Sequence, residues 1–330
     1  MAQPRNSAAG CCVCDVRHYF VAGRSHPSIT PRERFIAFRR SRPRAPRLTR
    51  RAVHARGLDF AVFLTPEKPG VVPLVCVNGG LLFDHNLLWP ALAPLADHRQ
   101  LILYDQRGRG ASQTPPGARG ARIEHDAGDL PAIRDALGLA KWDVLGHSWG
   151  GGLAMLATER DQDAVRRLVL VDAVGPLGNW QENLLIDALP RLGAADRAIL
   201  ERIDQKALLA PDPGIHSAYS RAMYSAWFAD QTLAAMFSPP RSESQTGAAV
   251  AARLRGEGYD WRALLRAVSV PALVIHGERD LLPVSVAREI VTTLGNARLE
   301  VIPDAGHMPF WESPELFFTL VESFLSTPTP

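Results

Sequence analysis

The sequence predicts an α/β fold, a doubly wound and mostly parallel sheet with a helical segment inserted late in the chain. From about residue 49 onward, short apolar runs typical of buried strands alternate with segments compatible with helices. Glycine and polar residues follow the carboxyl ends of these runs, which is where doubly wound sheets bind their ligands. The alternation stops between residues 176 and 266, where only helical patterns occur.

The elements justify this fold in chain order. A hairpin at 51–64 opens the domain, and a predicted helix at 84–96 is interrupted by Pro90 and Pro94. The other core strands are predicted at 74–77, 101–104, 142–145, 168–171, 270–277 and 298–302, and the other core helices at 123–137, 153–160 and 284–294. The insertion is predicted to form helices at 183–192, 195–208, 216–237 and 248–255. The core therefore comprises 49–175 and 267–330, on either side of an insertion at 176–266.

The most informative segment is Gly146-His147-Ser148-Trp149-Gly150, which joins a predicted strand to a predicted helix. A Gly-x-Ser-x-Gly sequence in this context is typical of a nucleophile elbow. Such a turn holds its serine in a strained backbone conformation, and the glycines leave room where a Cβ would clash. The serine also lies at the positive end of the helix dipole. This context favours Ser148 as a nucleophile over an incidental serine in a glycine-rich turn.

A nucleophilic serine needs a base and an acid that orients the base. Asp280 directly follows a predicted buried strand, and His307 lies in the loop after the last strand. The order Ser148, Asp280, His307 is typical of serine hydrolases built on this kind of sheet. Asp172, at the end of an earlier strand, is the alternative acid. Asp280 is favoured because one helix and one strand separate it from His307. His147 is expected to pack beneath the elbow.

An oxyanion hole needs two backbone N–H groups near the nucleophile. One is expected at Trp149, directly after the serine, and the other in the loop 78–80. Gly80 is the candidate there because paired glycines let the backbone approach a substrate closely, although a plain tight turn is the alternative. Arg107 is expected either to pair with a core carboxylate and brace this loop or to be solvated.

Three segments resemble proline iminopeptidases (prolyl aminopeptidases), a branch of the α/β-hydrolases. Gly-His-Ser-Trp-Gly-Gly at 146–151 is similar to that family's Gly-Gly-Ser-Trp-Gly, and residues 105–112 to its Asp-Gln-Arg-Gly-x-Gly-x-Ser. Asn-Gly-Gly-Leu-Leu at 78–82 stands where the family has His-Gly-Gly-Pro-Gly. The resemblance runs from about Ala52 to Leu325. It implies an α/β-hydrolase fold with a helical cap and a serine hydrolase that needs no cofactor.

The substrate stays open because residues 78–82 depart from the family pattern, and esterases, lactonases and C–C bond hydrolases share this outline. A substrate pocket is expected to involve the insertion, although an aromatic stripe with helical spacing is more often core. The stripe comprises Tyr219, Met223, Tyr224, Trp227, Phe228 and Met236. In proline iminopeptidases, cap carboxylates hold the free amino group of the substrate. Six acids within the insertion are named as candidates, none matched by a motif: Glu182, Glu201, Asp204, Asp230, Glu243 and Glu257.

Charge separates the start of the chain from the rest. Residues 1–51 carry twelve arginines, no lysine and two acids, a net charge of +10, whereas the remainder carries −7. The extension at 1–48 lacks sustained apolar periodicity and is predicted to be disordered, with a transit peptide or a mis-assigned start as alternatives. The acidic body argues against nucleic-acid binding. The expected partner is a small-molecule or short-peptide substrate, and the oligomeric state stays open.

Cysteine usage favours a reducing compartment, and a cytoplasmic location is expected. Cys11, Cys12 and Cys14 with His18 suggest a zinc site, but adjacent cysteines do not fit the usual two-residue ligand spacing, so no metal is expected. Cys76 lies in a predicted strand and is expected to be a small core residue. No apolar run reaches the roughly 18 residues that a membrane-spanning helix needs.

Overall fold

One eight-stranded sheet forms the centre of the protein. The computed structural model describes residues 29–327. The strands are β1 (Thr49–Ala55), β2 (Leu58–Leu64), β3 (Leu74–Val77), β4 (Leu101–Tyr104), β5 (Trp142–His147), β6 (Val165–Val171), β7 (Ala272–Gly277) and β8 (Ala297–Ile302). They lie in the order β1-β2-β4-β3-β5-β6-β7-β8. The β1–β2 and β2–β4 pairs are antiparallel and the others parallel, so the predicted doubly wound, mostly parallel sheet is confirmed.

Helices cover both faces of this sheet. They are α1 (Pro31–Ser41), α2 (Ile123–Ala136), α3 (Trp149–Arg160), α4 (Leu184–Ala188), α5 (Ala194–Arg202), α6 (Pro213–Ala222), α7 (Gln231–Ala234), α8 (Gln245–Glu257), α9 (Arg262–Leu265), α10 (Val284–Leu294), α11 (Pro309–Glu312) and α12 (Pro314–Ser326). Within residues 29–327, no helix has the length and apolar character needed to cross a membrane.

Alternation along the strands divides the core between the two faces. In β3, Val75 and Val77 pack with residues of α2, α3 and α10, whereas Leu74 and Cys76 pack with residues of α12. Successive side chains of a strand point to opposite faces, and both faces are covered here, so the central strands are apolar throughout. Cys76 is a buried core residue, as predicted.

Residues 84–96 do not form the predicted α-helix. They form two short 3₁₀ turns, His85–Leu87 and Ala93–Asp97, and Asp84 caps the first of them. Pro90 and Pro94 have no N–H groups and therefore cannot continue an α-helical hydrogen-bond ladder. The chain instead forms tight turns here.

The prediction of disorder at 1–48 is wrong for the part that the structure describes. Thr30 and Glu33 form a reciprocal capping box at the start of α1, and Pro31 occupies its first position. Phe35 is buried and contacts Phe237 and Trp311 edge to face. The aromatic side of α1 thus has core residues to pack against, which the arginine-rich composition obscures. The cysteine cluster lies outside the described residues.

Between β6 and β7 the chain is helical, as predicted, but its helices are shorter. The helix expected at 216–237 ends at Ala222 and is followed by a 3₁₀ turn, Tyr224–Trp227. Asp230 then caps α7 by accepting hydrogen bonds from the N–H groups of Thr232 and Leu233. Because α6 ends at Ala222 and the chain is extended at Phe228, the predicted aromatic stripe is divided among several elements and does not follow one helix.

Candidate active site

Ser148 occupies a sharp turn between β5 and α3. Its backbone angles are φ 56° and ψ −125°, which L-residues adopt only under constraint. A β-carbon added at Gly146 would lie 2.4 Å from the Gly150 carbonyl oxygen, and one added at Gly150 would lie 2.1 Å from that of Val77. Both glycines are therefore required by close packing. The turn presents Ser148 at the amino end of α3, as the Gly-x-Ser-x-Gly motif predicts.

The loop after β3 packs directly against this turn. A β-carbon added at Gly79 would lie 2.6 Å from the Ser148 Cβ and 3.2 Å from the Trp149 nitrogen. Gly80 has a φ of 78°, and it lines the same cavity as Ser148 and Trp149. The structure thus brings both predicted oxyanion-hole residues beside the serine.

The Asp-Gln-Arg-Gly loop holds the loop after β3 in place. Gln106 Nε2 donates to the Asn78 carbonyl at 2.8 Å, and Arg109 Nε donates to the Leu81 carbonyl at 2.7 Å. Arg107 instead forms two hydrogen bonds with Asp129, so its expected pairing with a core carboxylate is confirmed. The side chains that hydrogen-bond directly to the loop after β3, however, are Gln106 and Arg109. Sequence reasoning missed both, because the motif does not show which of its side chains turns inward.

Asp280 and His307 meet at the carboxyl edge of the sheet. His307 Nδ1 lies 2.8 Å from Asp280 Oδ2, and both side chains are buried. Burial would raise the pKa of Asp280, but the neighbouring His307 and the hydrogen bond between them lower it below its ordinary value. His307 lines the same cavity as Ser148, and the Trp227 ring lies over it at a centroid distance of 4.3 Å.

Asp172, the alternative acid, lies behind this pair. Its Oδ1 accepts a 2.7 Å hydrogen bond from the Gly277 N–H, and one of its carboxyl oxygens lies within 4.8 Å of a carboxyl oxygen of Asp280. Burial and the charge of Asp280 raise the pKa of Asp172 well above its ordinary value. Burial beside Asp280 therefore disfavours the ionised form of Asp172. Within the described residues, Asp172, His276 and Asp280 form the one group of side chains close enough together to hold a metal ion. Each of the three already has a hydrogen-bond partner in the protein.

Two further buried groups hold the His307 loop. His147 Nε2 donates to the His307 carbonyl oxygen at 2.8 Å, and burial lowers the pKa of His147 to about 3, so its ring is neutral. Glu312 accepts hydrogen bonds from the N–H groups of Gly306 (2.8 Å) and Ala229 (2.7 Å). It thereby ties the His307 loop to the helices between β6 and β7. The buried ring of His147 contacts the rings of His307 and Phe310, whereas no sequence motif pointed to Glu312.

A cavity of about 110 Å³ opens above Ser148 and His307. Four of the predicted pocket residues line it, namely Tyr219, Met223, Tyr224 and Trp227. Phe228 does not line it; it is fully buried and stacks on Phe237. The remaining lining residues include Leu82, Phe83, Trp180, Gln181, His216, Ser220 and Arg255. None of the six candidate acids, and no other acid of residues 176–266, lines this cavity.

Comparison with known proteins agrees with this architecture. The family model of the α/β hydrolase fold matches residues 72–314. The 2-hydroxymuconate semialdehyde hydrolase of Pseudomonas putida is 32% identical over 235 residues, which cover 69% of this chain and 77% of that protein. The proline iminopeptidase of Lactobacillus delbrueckii subsp. bulgaricus is 28% identical over 283 residues, 78% of this chain and 91% of that protein.

Solved structures give the same result. The crystal structure of proline iminopeptidase from Mycobacterium smegmatis superposes with a TM-score of 0.62 at 25% identity, over 84% of this chain and 97% of that one. The resemblance to proline iminopeptidases is thus confirmed, in company with other hydrolases. Since the family model spans most of the chain, this protein belongs to the α/β hydrolase family.

Proposed function

We propose that this protein is a serine hydrolase that cleaves an ester or amide of a small substrate through an acyl-enzyme. One observation carries the proposal. His307, bonded through Nδ1 to the buried Asp280, lines the same cavity as Ser148, whose strained turn stands at the start of a helix. A nucleophile, a base and an orienting acid are the three parts that such catalysis requires.

In the proposed acylation step, His307 Nε2 accepts the Ser148 hydroxyl proton while Oγ attacks the substrate carbonyl carbon. Asp280 keeps the ring in the tautomer that leaves Nε2 free and stabilises the imidazolium. The N–H groups of Trp149 and Gly80 stabilise the oxyanion. When the tetrahedral intermediate collapses, the bond to the leaving group breaks and His307 protonates that group. Water, deprotonated by His307, then releases the acid from Ser148.

We further propose that residues 176–266 act as a cap domain over this centre, between core segments 49–175 and 267–330. Tyr219, Met223 and Tyr224 come from this segment and line the cavity with Ser148. Their apolar and aromatic surfaces suit a small organic substrate.

Among the candidate bonds, an ester is favoured over a prolyl amide. An aminopeptidase must bind the substrate's ammonium group with a carboxylate, and no acidic side chain of the described residues lines the cavity. C–C bond hydrolysis is the second candidate, because the 2-hydroxymuconate semialdehyde hydrolase of Pseudomonas putida is 32% identical.

Labelling with a fluorophosphonate and an assay with p-nitrophenyl esters test the proposal against a non-catalytic binding protein. Ser148→Ala should abolish labelling, and Ser148→Ala and His307→Ala should each lower kcat by roughly three orders of magnitude or more while keeping the circular dichroism spectrum. Ser323→Ala, an exposed serine on α12, is the matched control and should keep both. Label retained on Ser148→Ala, or ester hydrolysis unaffected by it, would refute a Ser148 nucleophile.

A further inference from the structure

Among the described residues, the cavity has a positively charged lining side chain and no negatively charged one. Among the described residues, the only side chain lining it that carries a permanent charge is Arg255 of α8. Glu257, two residues further along the same helix, does not line it and pairs with Arg253 and Arg122. The cavity is therefore a mainly apolar space with one positive group.

Arg255 has an aromatic contact but no acidic partner. Its guanidinium carbon lies 5.4 Å from the centroid of the Tyr219 ring, a cation–π arrangement that orients the side chain. Within residues 29–327, no carboxylate lies within 4 Å of this guanidinium. The side chain is half-buried. Arg253, on the same helix, shows the usual alternative, since its guanidinium is 2.5 Å from a Glu257 oxygen.

The neighbouring His216 adds no second positive charge. Its Nε2 donates to the Ala210 carbonyl oxygen at 3.0 Å, and burial, together with the nearby Arg255, lowers the pKa of its ring. His216 is therefore neutral near pH 7. Gln181 and Ser220 also line this space and offer neutral hydrogen-bonding groups.

We propose that Arg255 is an anion subsite that binds a carboxylate of the substrate, so that the hydrolysed molecule is an ester bearing a free acid. This inference rests on the proposed function, because it names the substrate class of the same site. A guanidinium matches a carboxylate with two parallel hydrogen bonds, and it does so most strongly where water is partly excluded. A single arginine in an apolar cavity suits one negative charge better than a phosphate dianion.

Three esters with the same leaving group and similar length test this. They are p-nitrophenyl hydrogen adipate (anionic), methyl p-nitrophenyl adipate (neutral) and p-nitrophenyl 6-aminohexanoate (cationic), each corrected for its uncatalysed rate. Wild-type kcat/KM should be roughly 10- to 100-fold higher for the anionic ester than for the neutral one, and lowest for the cationic one. The corresponding suberate pair covers a longer spacing between acid and ester.

Arg255→Met keeps the aliphatic stem against Tyr219 and removes the charge, so the anionic-to-neutral ratio should fall to about one. Arg255→Lys should keep part of the preference. Arg253→Met removes the same charge from the same helix outside the cavity and should leave the ratio at the wild-type value. A wild-type preference for the neutral or cationic ester would overturn the proposal, as would an equal loss on both esters in Arg255→Met, which indicates a packing role.

A binding measurement separates this proposal from the hydrolase mechanism. Calorimetry with monomethyl adipate on Ser148→Ala should detect binding that Ser148→Ala/Arg255→Met weakens by roughly 10-fold or more. If none of the esters is cleaved but this Arg255-dependent binding is present, the hydrolase proposal fails and the anion subsite stands. If esters are cleaved through Ser148 but the acid binds equally to both proteins, the anion subsite fails.

Discussion

Two carboxyl groups lie side by side behind His307, and their different roles follow from their hydrogen bonds. Asp280 is hydrogen-bonded to His307, which lowers its pKa, whereas Asp172 accepts from the Gly277 N–H, and burial beside Asp280 raises its pKa. Two buried carboxylates in contact cannot both be ionised without a large cost, so one of them holds a proton. This arrangement supports Asp280 as the acid of the proposed triad and gives Asp172 the role of its positioning partner.

Substitutions at these two positions should therefore differ. Asp172→Asn can accept from Gly277 and donate to Asp280, so kcat should stay within about tenfold of wild type. Asp280→Asn presents the wrong hydrogen-bonding group to His307 and should lower kcat by roughly 10³- to 10⁴-fold. Ester hydrolysis at pH 7 measures both. The reverse ranking would make Asp172 the catalytic acid.

The raised pKa of Asp172 also predicts how stability depends on pH. Above about pH 3.9 the unfolded chain loses the Asp172 proton while the folded chain keeps it, so wild type loses stability as pH rises, by at most about 1.4 kcal/mol per pH unit. Asparagine does not titrate. The Tm of Asp172→Asn relative to wild type should thus be higher at pH 7 than at pH 4.5. A Tm difference that is the same at both pH values would contradict a protonated Asp172.

At the scale of elements, Glu312 joins the His307 loop to the helices between β6 and β7. Burial raises its pKa to about 7, although backbone N–H donors from Ala229, Gly306, Asp230 and Met308 act in the opposite direction. These donors come from both segments. The carboxylate is therefore a buried acceptor that holds the two segments together.

Glu312→Gln should weaken the hydrogen bonds that connect these two segments. The amide nitrogen cannot accept from the N–H groups that it would face, so the free energy of unfolding should fall by about 2–4 kcal/mol, and kcat should fall with it because His307 loses its support. Denaturant unfolding and ester hydrolysis measure the two effects. Glu315→Gln, exposed on α12, should change neither. Wild-type stability in Glu312→Gln would show that the hydrogen bonds of this carboxylate are dispensable.

The helix α1 should contribute measurably to stability. Phe35 contacts Phe237 and Trp311, so Phe35→Ala should lower the free energy of unfolding by about 2–4 kcal/mol. Arg39→Ala, on the exposed side of the same helix, should change it by less than about 0.5 kcal/mol. Chemical denaturation gives both values. Equal and small effects would mean that α1 adds little to the folded state in solution.

At the scale of the whole molecule, the cavity joins the core to the helices between β6 and β7, and its charge should decide between amine and acid substrates. Proline-p-nitroanilide would bring an ammonium group into a cavity that Arg255 lines and that no acid of the described residues lines. We expect its kcat/KM to be at least roughly 100-fold below that of a short-chain p-nitrophenyl ester. N-acetylproline-p-nitroanilide controls for the harder amide chemistry. Efficient cleavage of the free amine but not of the acetylated compound would overturn this expectation.

Local patterns were sufficient to predict the core of this fold. Buried parallel strands appear as short apolar runs because both faces of the sheet are covered, and such runs can be recognised in the sequence alone. The elbow could also be predicted, because its Gly-x-Ser-x-Gly motif lies within five consecutive residues between a predicted strand and a predicted helix. The order of Ser148, Asp280 and His307 followed from strand ends, and their catalytic roles stay a prediction.

Tertiary structure decided what depends on contacts between distant segments. Composition predicted disorder where α1 forms, because burial of Phe35 depends on Phe237 and Trp311, some two hundred residues or more away. The breaks in the helix at 216–237 and the exclusion of Phe228 from the cavity also depend on packing. So does the cluster of Asp172, Asp280 and Glu312 near His307, since burial and hydrogen bonds set these protonation states. Motif and periodicity determined the scaffold, whereas only three-dimensional contacts decide that, among residues 29–327, one arginine and no acid line its cavity.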